Sequence, residues 1–118
     1  MTAAPVQIFG RRDSRETQRA QRFFKERRIP VALVDLAVRP IAPTELRRFA
    51  AHLGVGSLVD RDGRRYHELG LEWLRMEDAD LLVRLLGDPR LLKLPLVRRG
   101  SGFIAGVDEP AWRKLLED

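Results

Sequence analysis

The strongest constraint on the fold is a pair of strand-length apolar runs, Val6-Gln7-Ile8-Phe9-Gly10 and Val31-Ala32-Leu33-Val34-Asp35-Leu36, with one helical segment between them. That segment opens at Ser14 and continues to about Arg27. Its residues Ala20, Phe23 and Phe24 fall on one face, and Arg15, Arg19 and Arg22 on another. Pro30 ends it. Strand, helix and strand within roughly thirty residues make a β-α-β unit, because parallel strands need a crossover connection. The second run lacks polar alternation, which predicts a buried, parallel strand.

Downstream, Thr44 is expected to cap a helix over residues 45–53 that stops at Gly54. A turn over residues 56–60 and one or two helical turns over 64–70 follow. Acidic Glu77 and Asp78 begin another helix, which runs through Leu86 and is stopped by Gly87 and Pro89. Residues 94–98 and 103–106 then predict an antiparallel hairpin about Gly100-Ser101-Gly102. Asp108 caps a last helix whose buried side is Trp112, Leu115 and Leu116. The expected fold class is α/β: a four-stranded mixed sheet in the order βαβ, then ββα, with a helical insertion over about residues 43–88. A chain of 118 residues can bury one core unaided and is expected to be a single domain.

Several function classes drop out on composition. The chain has no cysteine, so it is no disulfide scaffold and carries no thiol for redox chemistry. His52 and His67 are the only histidines and lack ligand spacing, so no metal and no cofactor are expected. Apolar runs are too short to span a membrane, and residues 1–5 lack a secretory leader, which makes the cytoplasm the expected compartment. Trp73 and Trp112 read as packing residues, with Trp73 the better candidate for a partly exposed contact.

Net charge is +5, and arginine supplies nineteen of the 22 basic residues. Between Arg11 and Arg28 eight basic residues face three acidic ones, so this segment alone accounts for the surplus. The stripe lacks interleaved exposed aromatics. A solvated face is therefore the first reading, an acidic protein partner on Arg15, Arg19 and Arg22 the second, and nucleic acid the third.

A strand feeding a helix N-terminus gathers free amide donors, and Arg11, Arg12 and Arg15 surround this one. Arg98 or Arg99 is placed to approach from the hairpin, so weak oxyanion binding is a second expectation. Ser14 has no histidine near it in sequence to serve as base, which argues against a serine nucleophile. Its simplest role is capping, shared with Asp13, whose spacing to Glu16 suits a capping box.

Four segments in this order resemble the arsenate reductase/Spx family of thioredoxin-fold proteins. They are Phe9-Gly10-Arg11-Arg12-Asp13-Ser14, then Arg19-Ala20-Gln21-Arg22-Phe23-Phe24, then Tyr66-His67-Glu68-Leu69-Gly70-Leu71, and finally Asp88 through Val97. The resemblance runs from Val6 to about Leu116 and implies a glutaredoxin-like sheet with a cis bond before Pro95. It assigns the family's nucleophilic cysteine to Ser14 and the arginine before the proline to Leu94. A second oxyanion arginine falls at Asp60, with Arg61 adjacent, and Thr17 stands where Spx-type switches carry their second cysteine. Losses at separate positions imply a family member without the reductase reaction, acting by binding, with RNA polymerase among the partners the resemblance implies. The rival readings are a glutathione- or glutaredoxin-dependent arsenate reductase whose cysteine has been exchanged for Ser14, and a basic nucleic-acid-binding module.

Overall fold

The protein was analysed as a computed structural model that describes residues 4–117. In chain order its elements are β1 (Val6–Gly10), α1 (Arg15–Glu26), β2 (Val31–Asp35), α2 (Pro43–Leu53), α3 (Arg64–Glu68), α4 (Asp78–Gly87), β3 (Leu96–Arg99), β4 (Gly102–Ala105) and α5 (Glu109–Lys114). They form two compact units. One joins the segment ending at Pro40 to the segment starting at Leu94, and the other is Ile41–Lys93.

The first unit holds a four-stranded mixed sheet in the order β2-β1-β3-β4. β1 is parallel to β2 and antiparallel to β3, and β3 is antiparallel to β4. This is the thioredoxin-like arrangement. Register aligns Leu33, Ile8, Val97 and Ile104 in one row across the four strands. Successive side chains alternate faces, so Val6 and Ile8 join that row on one side. Against it pack Ala20, Phe23 and Phe24 of α1 and Trp112 of α5, all nearly or wholly buried. Each of the two phenylalanines contributes roughly 1.5–3 kcal/mol by leaving water. Phe9 and Leu96, of opposite parity, are buried on the other face of the sheet.

β2 differs from expectation. It is an edge strand, and Val31, Leu33 and Val34 are only half-buried while Ala32 is exposed. An apolar run records hydrophobicity, and no periodicity distinguishes a central strand from an edge whose outer side lacks a partner.

α1 is built from strong helix formers and buries Thr17, Ala20, Phe23 and Phe24 at three- and four-residue spacing. Its end is a Schellman motif: the Ile29 amide donates to Phe24 C=O and the Arg28 amide to Lys25 C=O. That geometry puts Arg28 at φ 60°, the only non-glycine residue with positive φ among those described. Ile29 then packs against the core. Arg28→Gly is expected to stabilise the protein by up to about 1 kcal/mol, read as a higher urea midpoint at unchanged slope. A lower midpoint would show that the arginine's contacts outweigh its backbone strain.

In the second unit, α2 begins two residues earlier than Thr44 implied. Ala42 is the N-cap without a side-chain hydrogen bond and Pro43 occupies the first turn. Proline's fixed φ is preorganised there, so Thr44 lies inside the helix. Residues 56–60, expected as a turn, include most of a 3₁₀ turn over Val55–Leu58. The unit is closed by backbone hydrogen bonds from Asp60 to Leu91 and from Lys93 to Leu58, each 2.8 Å. Leu46, Phe49, Leu58, Leu71, Leu85 and Leu91 are buried. Asp88 ties Arg65 of α3 to the end of α4 and also receives Arg90. Burial pushes the Asp88 carboxyl up, but hydrogen bonds from Arg65 and Arg90 outweigh it and hold it below the usual carboxylate range. Trp73, expected to be partly exposed, is 83% exposed. Among the described residues, no helix is long and apolar enough to cross a membrane.

Candidate functional site

The β1–α1 junction is where strand, sheet and helix N-terminus converge. Register sets Gly10 opposite Asp35 of β2, and Phe9 opposite Leu96 of β3, which brings the Leu94–Pro95 segment to the same end of the sheet. The Leu94–Pro95 peptide is cis, and Pro95 C=O accepts the Gly106 amide at 2.8 Å. Pro95 is buried and Leu94 half-buried.

Gly10 is followed by a tight turn in which the Ser14 amide donates to Arg11 C=O at 3.0 Å. The turn is fastened twice more. The Arg11 amide donates to Thr17 Oγ1 at 3.2 Å, and Gln18 Nε2 donates to Arg12 C=O at 2.7 Å. Thr17 is wholly buried and lies so close to Gly10 that a Cβ there would overlap its Oγ1. Glycine is therefore required by contact, and φ at this position is ordinary.

Ser14 is the N-cap of α1: its Oγ accepts the Thr17 amide at 3.2 Å and donates to Glu16 Oε2 at 3.1 Å. Both roles of the hydroxyl are thereby engaged. The partner is a carboxylate, far too weak a base to take a serine proton near neutral pH. Asp13 does not share the cap, contrary to expectation. It pairs with Arg11 at 3.2 Å, and that hydrogen bond holds its carboxyl below the usual range. A guanidinium two residues away offers two donors in a fork, which wins over a single helix amide. Ser14→Ala is expected to cost about 1 kcal/mol of stability by thermal or urea denaturation. A change below a few tenths would mean that the cap hydrogen bond is not formed in solution.

The anion-binding candidates do not converge. Arg11 is held by Asp13, and Arg12 pairs with Asp35 at 3.6 Å. Arg15 is exposed on the first turn of α1. Arg98 lies opposite Gln7, three positions along β1 from Gly10, with its guanidinium 5.3 Å over the Phe103 ring. Arg99 donates to Leu115 C=O at 2.7 Å. Arg61 belongs to the second unit, where it donates to Tyr66 Oη at 3.2 Å. An incoming oxyanion at Arg11 and Arg12 competes with Asp13 and Asp35.

Arg15, Arg19 and Arg22, by contrast, line one groove on α1 together with Glu109 of α5. Arg19 donates to Glu109 Oε2 from Nε at 2.8 Å and from Nη2 at 2.6 Å. Sequence reasoning missed Glu109 and Asp35, and it named Thr17 without its contact to Gly10. Arg19 and Glu109 are ninety residues apart in sequence, and no local pattern signals such a pair. Among the described residues, no group of three or more potential metal ligands is clustered.

A family model described as the ArsC family matches residues 11–115. The chain belongs to the ArsC family. Solved ArsC-like structures share its fold throughout. The YFFB (PA3664) protein superimposes with a TM-score of 0.86 at 20% identity, over 94% of this chain and 98% of the other. An ArsC family related protein from Bacteroides fragilis gives 0.84 at 21%, over 97% and 99%. An arsenate reductase from Vibrio cholerae gives 0.78 at 20%, over 98% of each chain. At these identities the likeness concerns the fold. Among curated proteins no relative matches the chain.

Proposed function

We propose that this ArsC-family chain works by binding a protein partner rather than by reducing a substrate. One observation carries the reading: the thiol that such a reaction needs is missing from the sequence, and the hydroxyl at the α1 N-terminus is committed to capping. Electron transfer to arsenate through a covalent intermediate needs a sulfur that attacks as thiolate and leaves as disulfide, and an oxygen does neither. The surface proposed for the partner is the exposed arginine row Arg15, Arg19 and Arg22, in keeping with an acidic partner. The Spx resemblance makes RNA polymerase the first partner to test, in a cytoplasmic setting.

The purified chain is expected to show no arsenate reduction above background with glutathione and glutaredoxin. Ser14→Cys is expected to stay inactive as well, because Leu94 supplies no guanidinium beside Pro95 and Arg11 is held by Asp13. Turnover by the unchanged chain would overturn the binding reading. Turnover by Ser14→Cys alone would favour the rival in which a reductase has had its cysteine exchanged.

A further inference from the structure

We infer that the α1 groove accepts one amphipathic helix, lying antiparallel to α1, that presents three carboxylates and one cation in fixed register. The inference rests on the binding reading above and specifies the partner's chemistry.

Arg15, Arg19, Arg22 and Glu26 all line a groove of about 600 Å³. Their spacings of four, three and four residues keep them on one face of α1. With a rise of about 1.5 Å per residue they lie at about 0, 6, 10.5 and 16.5 Å along the axis. The face thus reads plus, plus, plus, minus over three turns, a pattern that a helix of the same pitch can answer throughout. An antiparallel helix answers it with a basic residue followed by acidic residues four, seven and eleven positions later. Antiparallel packing also sets the two helix dipoles in opposition.

The floor is rigid, with its aromatic ring nearly buried. Phe23 lines the groove, and its ring carries the Arg27 guanidinium 3.6 Å from the centroid. Arg27 is further fixed by donating to Phe23 C=O at 2.9 Å.

The protein itself shows what sits on the middle arginine. Glu109 places one carboxylate oxygen in the fork of Arg19, with two charge-assisted hydrogen bonds. It occupies the position that a partner's carboxylate would take. The side chains of Arg15 and Arg22 on either side have no hydrogen bond or ion pair among the described residues. Glu109 is therefore a built-in competitor. It keeps the groove selective for ligands that offer several carboxylates at once, since a lone anion meets an arginine already satisfied.

The test uses the full chain and labelled synthetic helical peptides, read by fluorescence anisotropy at about 50 mM salt, where surface charges are weakly screened. One peptide carries the predicted register, and a control of identical composition has those four residues permuted around the helix. The matched peptide is expected to bind at least fivefold more tightly. Arg19→Glu should weaken it at least tenfold, and a peptide with lysine in place of the facing glutamate should recover most of that loss. Glu109→Gln should tighten binding about twofold to fivefold by releasing Arg19. Equal binding of matched and permuted peptides, or no saturable binding of either, would sink the inference. If that happened while RNA polymerase still bound the chain and lost it on Arg15→Glu/Arg19→Glu, the inference would fall and the binding reading would stand.

Discussion

Trp112→Ala is expected to remove roughly 3–5 kcal/mol of stability, a large share of the roughly 5–15 kcal/mol that holds an ordinary domain folded. Trp112 is wholly buried and touches both aromatic residues of α1, with ring centroids 5.4 Å from Phe23 and 6.0 Å from Phe24. It is the largest side chain in the core and anchors α5, a helix of only six residues that has little stability of its own. Truncation leaves a cavity between the sheet and two helices that fixed backbones cannot fill. The indole Nε1–H is the one buried side-chain polar atom without a hydrogen-bond partner among the described residues. Trp112→Phe removes that stranded donor, as alanine does, but keeps a six-membered ring in the site, so its cost should be well below that of the alanine variant. Urea denaturation of the three proteins decides the matter. Equal losses for phenylalanine and alanine would show that a retained phenyl ring does nothing to fill the Trp112 site.

The second large effect is expected at the strand–helix junction. Gly10→Ala sets a Cβ overlapping Thr17 Oγ1, 2.7 Å from its Cγ2 and 3.1 Å from its Cβ. Thr17 is wholly buried and belongs to α1, so it has nowhere to turn. Overpacking of this kind costs about 1–3 kcal/mol, and the branched, hydrogen-bonded neighbour argues for the upper end. Thr17→Ala alone should also destabilise, because it strands the Arg11 amide that its hydroxyl accepts. The double variant is the informative one. Removing Oγ1 and Cγ2 opens the space that the new methyl needs, so Gly10→Ala/Thr17→Ala should be more stable than the sum of the single losses by about 1 kcal/mol or more. Strict additivity would mean that the two positions do not meet.

The sequence made β1, the hairpin and α5 legible for definite reasons. Gly10 closes an apolar run before a polar turn, Gly100 supplies a positive-φ corner at 58°, and Asp108 caps by accepting a hydrogen bond from the Ala111 amide. The Ser14 cap was readable from residue type and position alone. Competing partners were not. Asp13 had two claimants, the helix amides and Arg11, and only geometry decides between them. Thr44 and Pro43 both signal a helix start, and the proline prevailed. The edge placement of β2 depends on sheet order, and the Arg19–Glu109 pair depends on where α5 lands on the sheet. Both are set by tertiary packing, which local periodicity does not encode. In the candidate site, residue types were therefore legible while their pairings were not: Arg11, Arg12 and Arg98 looked like one cluster, and each has its own separate partner.

The strand order carries a consequence for how this protein folds as it is made. β1 is flanked by β2 and β3, yet the fifty-three residues of Ile41–Lys93 are synthesised between those two neighbours. On the ribosome, β1 can pair early on one side only, and its other margin stays open until β3 emerges. The helical stretch, continuous in sequence, can reach its native contacts first and so shortens the gap that the sheet must bridge. Closure of the sheet is thus a late, long-range event, set by loop closure rather than by the speed of forming any single helix.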